Sequence, residues 1–438
     1  MSVCSRGMSQ PDPLLPPSPA PRPPRAEFDG SLALLREGYD FARHRFEKHG
    51  ADIFETRIGL AKAVFVFGED AARMFYDAAD KFTRKGALPQ ITLRLLQDKG
   101  SVQWLDGEAH HHRKAIFLNI LMDEAQVAAL VRAFRDEWGK ALPEWERKGR
   151  ITFLHEASQV VAAAVVRWSG LDLEPRETRR LGWALFSMSD NAARIGPRAW
   201  AALWRRRHTE RWLKRRLAAL RRNLSALPAD APIRAVLTHR DLDGELLPPE
   251  VATVEVINLL RPTVAVGRFM MWAALALHLH PEWRERFSRG EEDMLDAFAE
   301  EVRRFFPFLP MIGGRVTKAF EWRGHRFAQG AWVLLDLEST NHDARRFPQP
   351  FRFEPSTGPE RGMSWRDQGF DYVPHGGGDA AVSHRCPGEM VSHKLIKEAV
   401  RLLCREAAFS VPAQDLLVRR SRIPAQPESG LVLEVRRV

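Results

Sequence analysis

Cys386 lies near the end of Val373-Pro374-His375-Gly376-Gly377-Gly378-Asp379-Ala380-Ala381-Val382-Ser383-His384-Arg385-Cys386-Pro387-Gly388-Glu389, a glycine-rich basic loop that runs into an apolar helical stretch. A cysteine taken alone is more often a small buried hydrophobe. Here the surroundings favour the ionised sulfur: loop amides, the positive end of the following helix, and cationic His384 and Arg385 all stabilise S⁻ over SH. A thiolate fixed at a helix start is a natural axial ligand for haem iron, where it pushes electron density toward the metal and promotes O–O cleavage.

A second centre is Asn258-Leu259-Leu260-Arg261-Pro262-Thr263-Val264-Ala265. Proline well inside a helix removes an i to i−4 bond and opens the helix locally. Arginine in an apolar helix needs a partner. That partner is either an internal Glu or Asp or a ligand anion, since a planar guanidinium grips a carboxylate bidentately while staying charged in apolar surroundings.

Smaller signals surround these two. Glu301 and Arg304 are three apart on one helical face, a spacing that in isolation means only a surface salt bridge. In Val102-Gln103-Trp104-Leu105-Asp106-Gly107-Glu108-Ala109-His110-His111-His112-Arg113-Lys114, three adjacent histidines suggest a metal site. Helical neighbours point in different directions, however, and His110 shares its face with Lys114 instead. Phe308, after Phe305-Phe306-Pro307, alone reads as core.

Together these stretches resemble the cytochrome P-450 superfamily. The Cys386 loop is similar to its haem-binding loop, and Glu301 with Arg304 to its Glu-x-x-Arg brace. Phe351-Arg352-Phe353-Glu354-Pro355 departs from the segment that usually completes that brace, with Arg352 as the substitute. The longer gap between the glycines and Cys386, and Arg261-Pro262 where oxygen-activating members carry an acid and a threonine, resemble the bacterial fatty-acid peroxygenases and decarboxylases. Pro427-Glu428-Ser429-Gly430 matches that branch's terminal turn, so the resemblance covers about Phe28 to Val438.

The resemblance implies a mainly α, single-domain haem-thiolate cytochrome P-450 fold with small β-sheets. It implies haem b ligated by Cys386, with propionates met by His110, Lys114 and His384. Arg261, beside Pro262, would hold a fatty-acid carboxylate, and Phe308 would line the channel. Leu309 stands where some relatives carry glycine, and Gln97 where several carry an aromatic. Gln103 occupies the position that is often His in relatives that mainly decarboxylate and Gln in those that hydroxylate, and a glutamine cannot titrate near pH 7. Hydroxylation of a long- or medium-chain fatty acid at the α and/or β carbon, driven by hydrogen peroxide without a dedicated redox partner, is therefore the implied activity. The alternatives are a peroxide-driven decarboxylase forming terminal alkenes, an O₂-dependent monooxygenase with separate reductases that uses Thr263, and a non-catalytic haem sensor. The Arg261-Pro262 pair speaks against the last, because a gas sensor needs no carboxylate anchor.

The elements that must position these residues read as mostly helical. Phe28 to Gly50, Asp123 to about Leu227, Val251 to His280, Glu291 to Phe306 and Gly388 to Glu406 have helical spacing, with interruptions at Pro143, Gly170, Pro175 and Gly196-Pro197. Ile58 to Phe67, Arg315 to Phe320, His325 to Phe327 and Trp332 to Leu337 read as strands, and Phe409 to Val411 with Leu431 to Val438 as a closing hairpin. The alternation of a nucleotide-binding α/β protein is absent. The chain has 438 residues, 45% hydrophobic and 28% charged, ordinary for a globular enzyme. Cys4, Cys386 and Cys404 offer no disulfide framework, which suits a reducing cytoplasm. The net charge of +10 comes from dispersed arginines. Arg205-Arg206-Arg207 and Lys214-Arg215-Arg216 read as a solvated helix face, with a surface for anionic partners as the alternative, and no nucleic-acid motif accompanies them. Residues 1–26 read as a flexible Pro-rich leader ahead of a catalytic domain over 27–438, with no transmembrane anchor: the apolar run Val264 to Leu279 carries Arg268 and suits a buried helix.

Overall fold

The computed structural model describes residues 22–77, 80–98, 100–355, 366 and 369–437. Most of the expected leader lies outside the described residues. Ordered pairing begins before residue 27, since Glu55 N–H donates to Pro24 O at 2.8 Å and Ala26 N–H to Glu55 O at 3.0 Å.

The stretch expected as one helix over Phe28 to Gly50 is two, α1 (Ser31–Glu37) and α2 (Phe41–His49), joined by a 3₁₀ turn. The single strand expected at Ile58 to Phe67 is a hairpin of β1 (Ile53–Ile58) and β2 (Ala61–Val66). Gly59 and Leu60 make its turn with φ of 58° and 67°. Next come α3 (Glu69–Tyr76), β3 (Phe82–Thr83) and α4 (Gln90–Leu96).

The helical body follows with α5 (Gly107–Leu121), α6 (Glu124–Lys148), β4 (Arg150–Thr152), α7 (Phe153–Ser169), α8 (Pro175–Asp190), α9 (Pro197–Arg222) and α10 (Pro232–Thr238). Most of the expected punctuation is present. Gly170 ends α7 in the left-handed region at φ 92°, and Pro175 and Pro197 open α8 and α9 at their first turns. Pro143 does not interrupt: α6 runs through it to Lys148. Pro143 and Gly139 are both exposed, so the carbonyl that the proline leaves unpaired turns to water.

The expected helix over Val251 to His280 is a spine of two pieces, α11 (Pro249–Ala265) and α12 (Gly267–Leu279), packed on α7. Among the described residues Pro249–Leu279 is the one stretch long and apolar enough to cross a membrane, and most of it is buried inside the protein. Arg268, on this spine, is paired with Asp190 at 2.7 Å. The break falls one turn after Pro262, where α7 comes closest: a Cβ on Gly267 would lie 2.9 Å from Ser158 Cα and 2.9 Å from Ser158 N.

After α13 (Pro281–Ser288) and α14 (Leu295–Phe305) the chain forms β5 (Met311–Val316), β6 (Phe320–Trp322), β7 (His325–Phe327) and β8 (Trp332–Asp336). The main sheet has the order β1-β2-β8-β5-β3, with only β2 and β8 parallel. It is covered by apolar clusters on Phe54 and Phe65 and on Phe75 and Val333. Then α15 (Leu337–Asn341), α16 (Glu389–Arg405), β9 (Ala407–Ser410) and β10 (Val432–Arg437) close the chain. The terminal hairpin pairs β9 with β10 from Ala407 onward and gains β4 as a third strand. The fold is thus mainly helical with small sheets, and α5, α11, α14 and the loop before α16 converge on Cys386.

Two glycines test this packing. Gly267→Ala should destabilise the protein by about 1–3 kcal/mol, because the methyl group meets backbone of α7. Gly139→Ala, in an exposed helix interior with nothing within 4 Å, should stabilise by about 0.5–1 kcal/mol. Urea unfolding of both variants decides; a neutral Gly267→Ala would mean that the spine does not approach α7 this closely.

Candidate active site

Cys386 is half-buried, three residues before α16 begins, and its N–H donates to His375 O at 2.9 Å. Loss of hydration pushes the thiol above its usual value; the Gly388 N–H and the charges of Lys114 and Arg261 oppose this. The sequence expectation of a thiolate made by cationic His384 and Arg385 is corrected in its cause. His384 is held neutral, its pKa driven far down by burial and by Arg84 and Lys114. Arg385 is committed to Glu389 at 2.8 Å and to Gly378 O at 3.0 Å.

Behind the loop stands a buried ion network. Arg304 grips Glu301 through two bonds of 2.7 Å and donates to the carbonyls of Asn341, Pro350 and Arg352 at 2.9–3.1 Å. Arg352 does not substitute as a guanidinium: it contributes its carbonyl, while its side chain turns outward to Gln349. One residue earlier, Arg303 pairs with Glu300 and with Glu389, and meets His375 Nδ1 at 3.0 Å. Tyr372 Oη donates to Glu300 Oε2 at 2.7 Å. Sequence reading missed this inner pair, although the doubled spacing in Glu300-Glu301-Val302-Arg303-Arg304 was a visible signal.

His110 and Lys114 share the buried face of α5 as expected, but not as two free cations. The His110 ring lies 4.0 Å from that of His384, and burial followed by the charge of Lys114 brings its pKa down to about 3. Lys114 Nζ donates to Ser383 O and, at 2.8 Å, to Arg385 O, so it ties α5 to the cysteine loop. His111 and His112 bond to Val382 O and Arg240 O, and among the described residues no cluster of three or more His, Cys, Asp or Glu could hold a metal. Arg84, which sequence reading passed over, is buried against Phe75 and donates to Gly313 O at 2.6 Å, with its Nε unpartnered.

On the other side of Cys386, Arg261 is 8% exposed. Its Nη2 donates to Leu96 O at 2.5 Å and its Nε has no partner. Among the described residues no Asp or Glu pairs with it, unlike Arg268 on the same spine, so the structural ion pair weighed for it is not formed. Burial, then the charge of Arg206, lowers its pKa to about 9, while Cys386 acts in the opposite direction. Arg206 donates to Leu95 O at 3.0 Å and pairs with Glu210 at 2.7 Å, so both arginines sit on the negative end of α4. Gln97 caps that end with its Oε1 buried and unpartnered. Thr263 Oγ1 donates to Leu259 O at 2.9 Å within its own helix, which removes it as a free hydroxyl.

Gln103 lies in a 3₁₀ turn at Val102–Trp104 and is held from α11. Asn258, one turn before Arg261, donates from Nδ2 both to Gln103 Oε1 at 3.2 Å and to Glu255 Oε2 at 3.0 Å. Glu255 Oε1 accepts the Val102 N–H at 2.7 Å and stands 3.5 Å from Arg113, which also pairs with Asp241. Among the described residues Gln103 Nε2 is the end left without a partner. Phe308 stacks on Phe269 at 4.6 Å, Phe269 faces His375 at 5.9 Å, and Tyr39 Oη donates to Phe308 O at 2.6 Å. Leu309 beside it keeps 40% of its surface exposed.

This donor set fits haem. A sulfur at a helix start can ligate iron, and the crowd of Arg84, Lys114, His110 and His384, with an unpartnered Arg84 Nε, suits the carboxylates of a porphyrin edge.

No protein-family model matches the chain. The protein named cytochrome P450 135B1 in Mycobacterium tuberculosis is 24% identical over 416 residues, 89% of this chain and 85% of its own. Two solved structures are much more similar. Cytochrome P450SP alpha (CYP152B1) in complex with (R)-ibuprophen has a TM-score of 0.88 at 37% identity, covering 93% of this chain and 99% of its own. Cytochrome P450EX alpha (CYP152N1) with myristic acid has a TM-score of 0.88 at 37% identity, covering 95% and 99%.

Glu255 supplies a pH test of this geometry. Burial pushes its carboxyl from 4.5 up to about 7, against the bonds from Asn258, Arg113 and the Val102 N–H. Its contribution to stability is therefore fully present below 4.5 and lost as pH rises through about 7. Glu255→Gln should gain on wild type across that window by up to about 3 kcal/mol. Urea midpoints measured at several pH values between about 5 and 8 check this; a constant difference would mean that Glu255 titrates as it does in water.

Proposed function

Because the chain belongs to the cytochrome P450 superfamily and, within it, to the CYP152 branch of fatty-acid peroxygenases and decarboxylases, we propose that it uses hydrogen peroxide to hydroxylate long- or medium-chain fatty acids at the α and/or β carbon. One observation carries the reading: Arg261 is a buried guanidinium on the cysteine side of the spine with no acidic partner among the described residues. Burying a charge without a counter-charge costs several kcal/mol, roughly what an incoming carboxylate would recover. Both structural relatives were solved with carboxylic acids.

The cofactor is haem b, which when ligated by a thiolate supplies O–O cleavage and oxygen insertion. Cys386 would hold it, and Arg84, Lys114, His110 and His384 would hold its propionates. Arg261 would fix the substrate carboxylate and so place the α and β carbons, not the chain end, nearest the reacting centre. The same carboxylate, held in place, would take a proton from one oxygen of peroxide and return it to the other, which leaves as water, while the oxygen that remains is the one inserted into the substrate C–H bond. Arg261 thus stabilises the ionised form of the group that moves the proton. Gln103, held by Asn258, offers its NH₂ to this space but no titratable proton. Phe308 and Phe269 wall the apolar side. Hydrogen peroxide is itself the two-electron oxidant, its oxygen already reduced below the level of O₂, so no redox partner is required, and we place the reaction in the cytoplasm.

The test is to incubate the haem-loaded protein with a panel of fatty acids and hydrogen peroxide, without reductase, and to identify products by mass spectrometry. Arg261→Ala should lower kcat/KM by at least about 30-fold, and Arg261→Lys should recover part of it, since charge without the fork restores only one contact. Near wild-type turnover in Arg261→Ala would remove the carboxylate anchor from the mechanism. Gln103→His should raise the share of terminal alkene over hydroxy acid by supplying a titratable proton donor. An alkene-dominated wild type would assign the decarboxylase reading instead.

A further inference from the structure

α9 buries Ala199, Ala202, Arg206, Leu213 and Leu217 against the molecule. At about 3.6 residues per turn, Trp200, Trp204, Arg207 and Arg211 fall on the opposite side of the helix. Trp200 and Trp204 are each 62% exposed, and Ile195, in the turn leading into the helix, is 75% exposed. Single exposed apolar residues are ordinary, but two indoles one turn apart, on a helix whose entry turn exposes an isoleucine as well, form a patch. Its charge is one-sided. From Asn191 to Thr209 the chain holds Arg194, Arg198, Arg205, Arg206 and Arg207 and no Asp or Glu. Arg206 is buried on Glu210, whereas Arg207 and Arg211, on the same side of the helix as the indoles, are exposed.

We propose that this face of α9 docks the protein reversibly on an anionic lipid surface, with Trp200, Trp204 and Ile195 at the boundary between headgroups and acyl chains and the arginines on the lipid phosphates. Indole suits that depth because its ring is apolar and its N–H is not, and long basic side chains keep their stems along apolar surface while their heads stay in the polar layer. A second copy of the chain fits poorly. A two-fold contact through this face would press Arg207 and Arg211 against their own counterparts, the one nearby acid, Glu210, being taken up by Arg206. Single-stranded nucleic acid also fits less well, because base stacking uses aromatic faces along a groove and these indoles stand on the convex side of a helix.

The full-length haem protein is sedimented with vesicles of phosphatidylcholine alone and with vesicles containing about one-third phosphatidylglycerol, at low and high salt. Wild type should bind the anionic vesicles at least about tenfold more tightly than the neutral ones, and less tightly as salt rises. Trp200→Ala with Trp204→Ala, and separately Arg207→Glu with Arg211→Glu, should each reduce binding by about tenfold or more. An unchanged visible spectrum of the reduced carbon monoxide complex shows that the variants remain folded. Equal binding of both vesicle types, or variants that bind like wild type, would overturn the proposal. So would a dimer in light scattering that the tryptophan variant dissolves, or binding of a single-stranded oligonucleotide in preference to anionic vesicles.

Discussion

A charge taken out of water must meet an opposite charge, and the two sides of Cys386 answer that demand differently. Behind the cysteine, Glu300, Glu301, Arg303, Arg304, Arg385 and Glu389 satisfy one another completely enough to fix the loop against α14 and α16. In front of it, Arg261 is buried on a carbonyl oxygen, and among the described residues no Asp or Glu pairs with it. Arg268, seven residues further along the same spine, shows that the fold can place an aspartate opposite a buried arginine where the role is structural. The contrast between these two arginines separates scaffold from site more sharply than any motif does.

The spine itself is shaped by the same pair of residues. Pro262 removes one helical bond beside Arg261, and the helix gives way at Val266, where Gly267 lets α7 come within backbone contact. Asn258, Arg261 and Thr263 therefore occupy a segment held by neighbours on both ends. Two of its polar groups reach outward to Gln103 and Leu96, and the third, Thr263, is turned back onto its own helix.

Much of this was legible in the chain. The Cys386 loop, the Glu301–Arg304 spacing, the Arg261-Pro262 pair and the shared face of His110 and Lys114 are short-range patterns, and short-range patterns survive in sequence. What was not legible depends on burial and on partners far along the chain. Glu255 looked like any helical glutamate until α5 and the Val102 turn closed over it. Arg84 follows a two-residue strand too short to stand out. The state of His384 could not be read either, because its charge depends on Arg84, His110 and Lys114, none of which is its neighbour in sequence. Pro143 erred the other way: its spelling says break, and exposure to water lets the helix continue.

The line from Glu255 through Asn258 to Gln103 has a sense of direction. A carboxylate can only accept, so it takes the NH₂ end of Asn258; that NH₂ also feeds the carbonyl of Gln103, and the far end of Gln103 is thereby a donor. Each amide hands on the sign it receives, as a row of dominoes hands on the way it falls. Below about pH 7 the first member carries a proton, and where it donates that proton to Asn258 both amides turn over and Gln103 presents a lone pair to the same space. The polarity of Gln103 is thus a single binary choice, written at a fully buried residue.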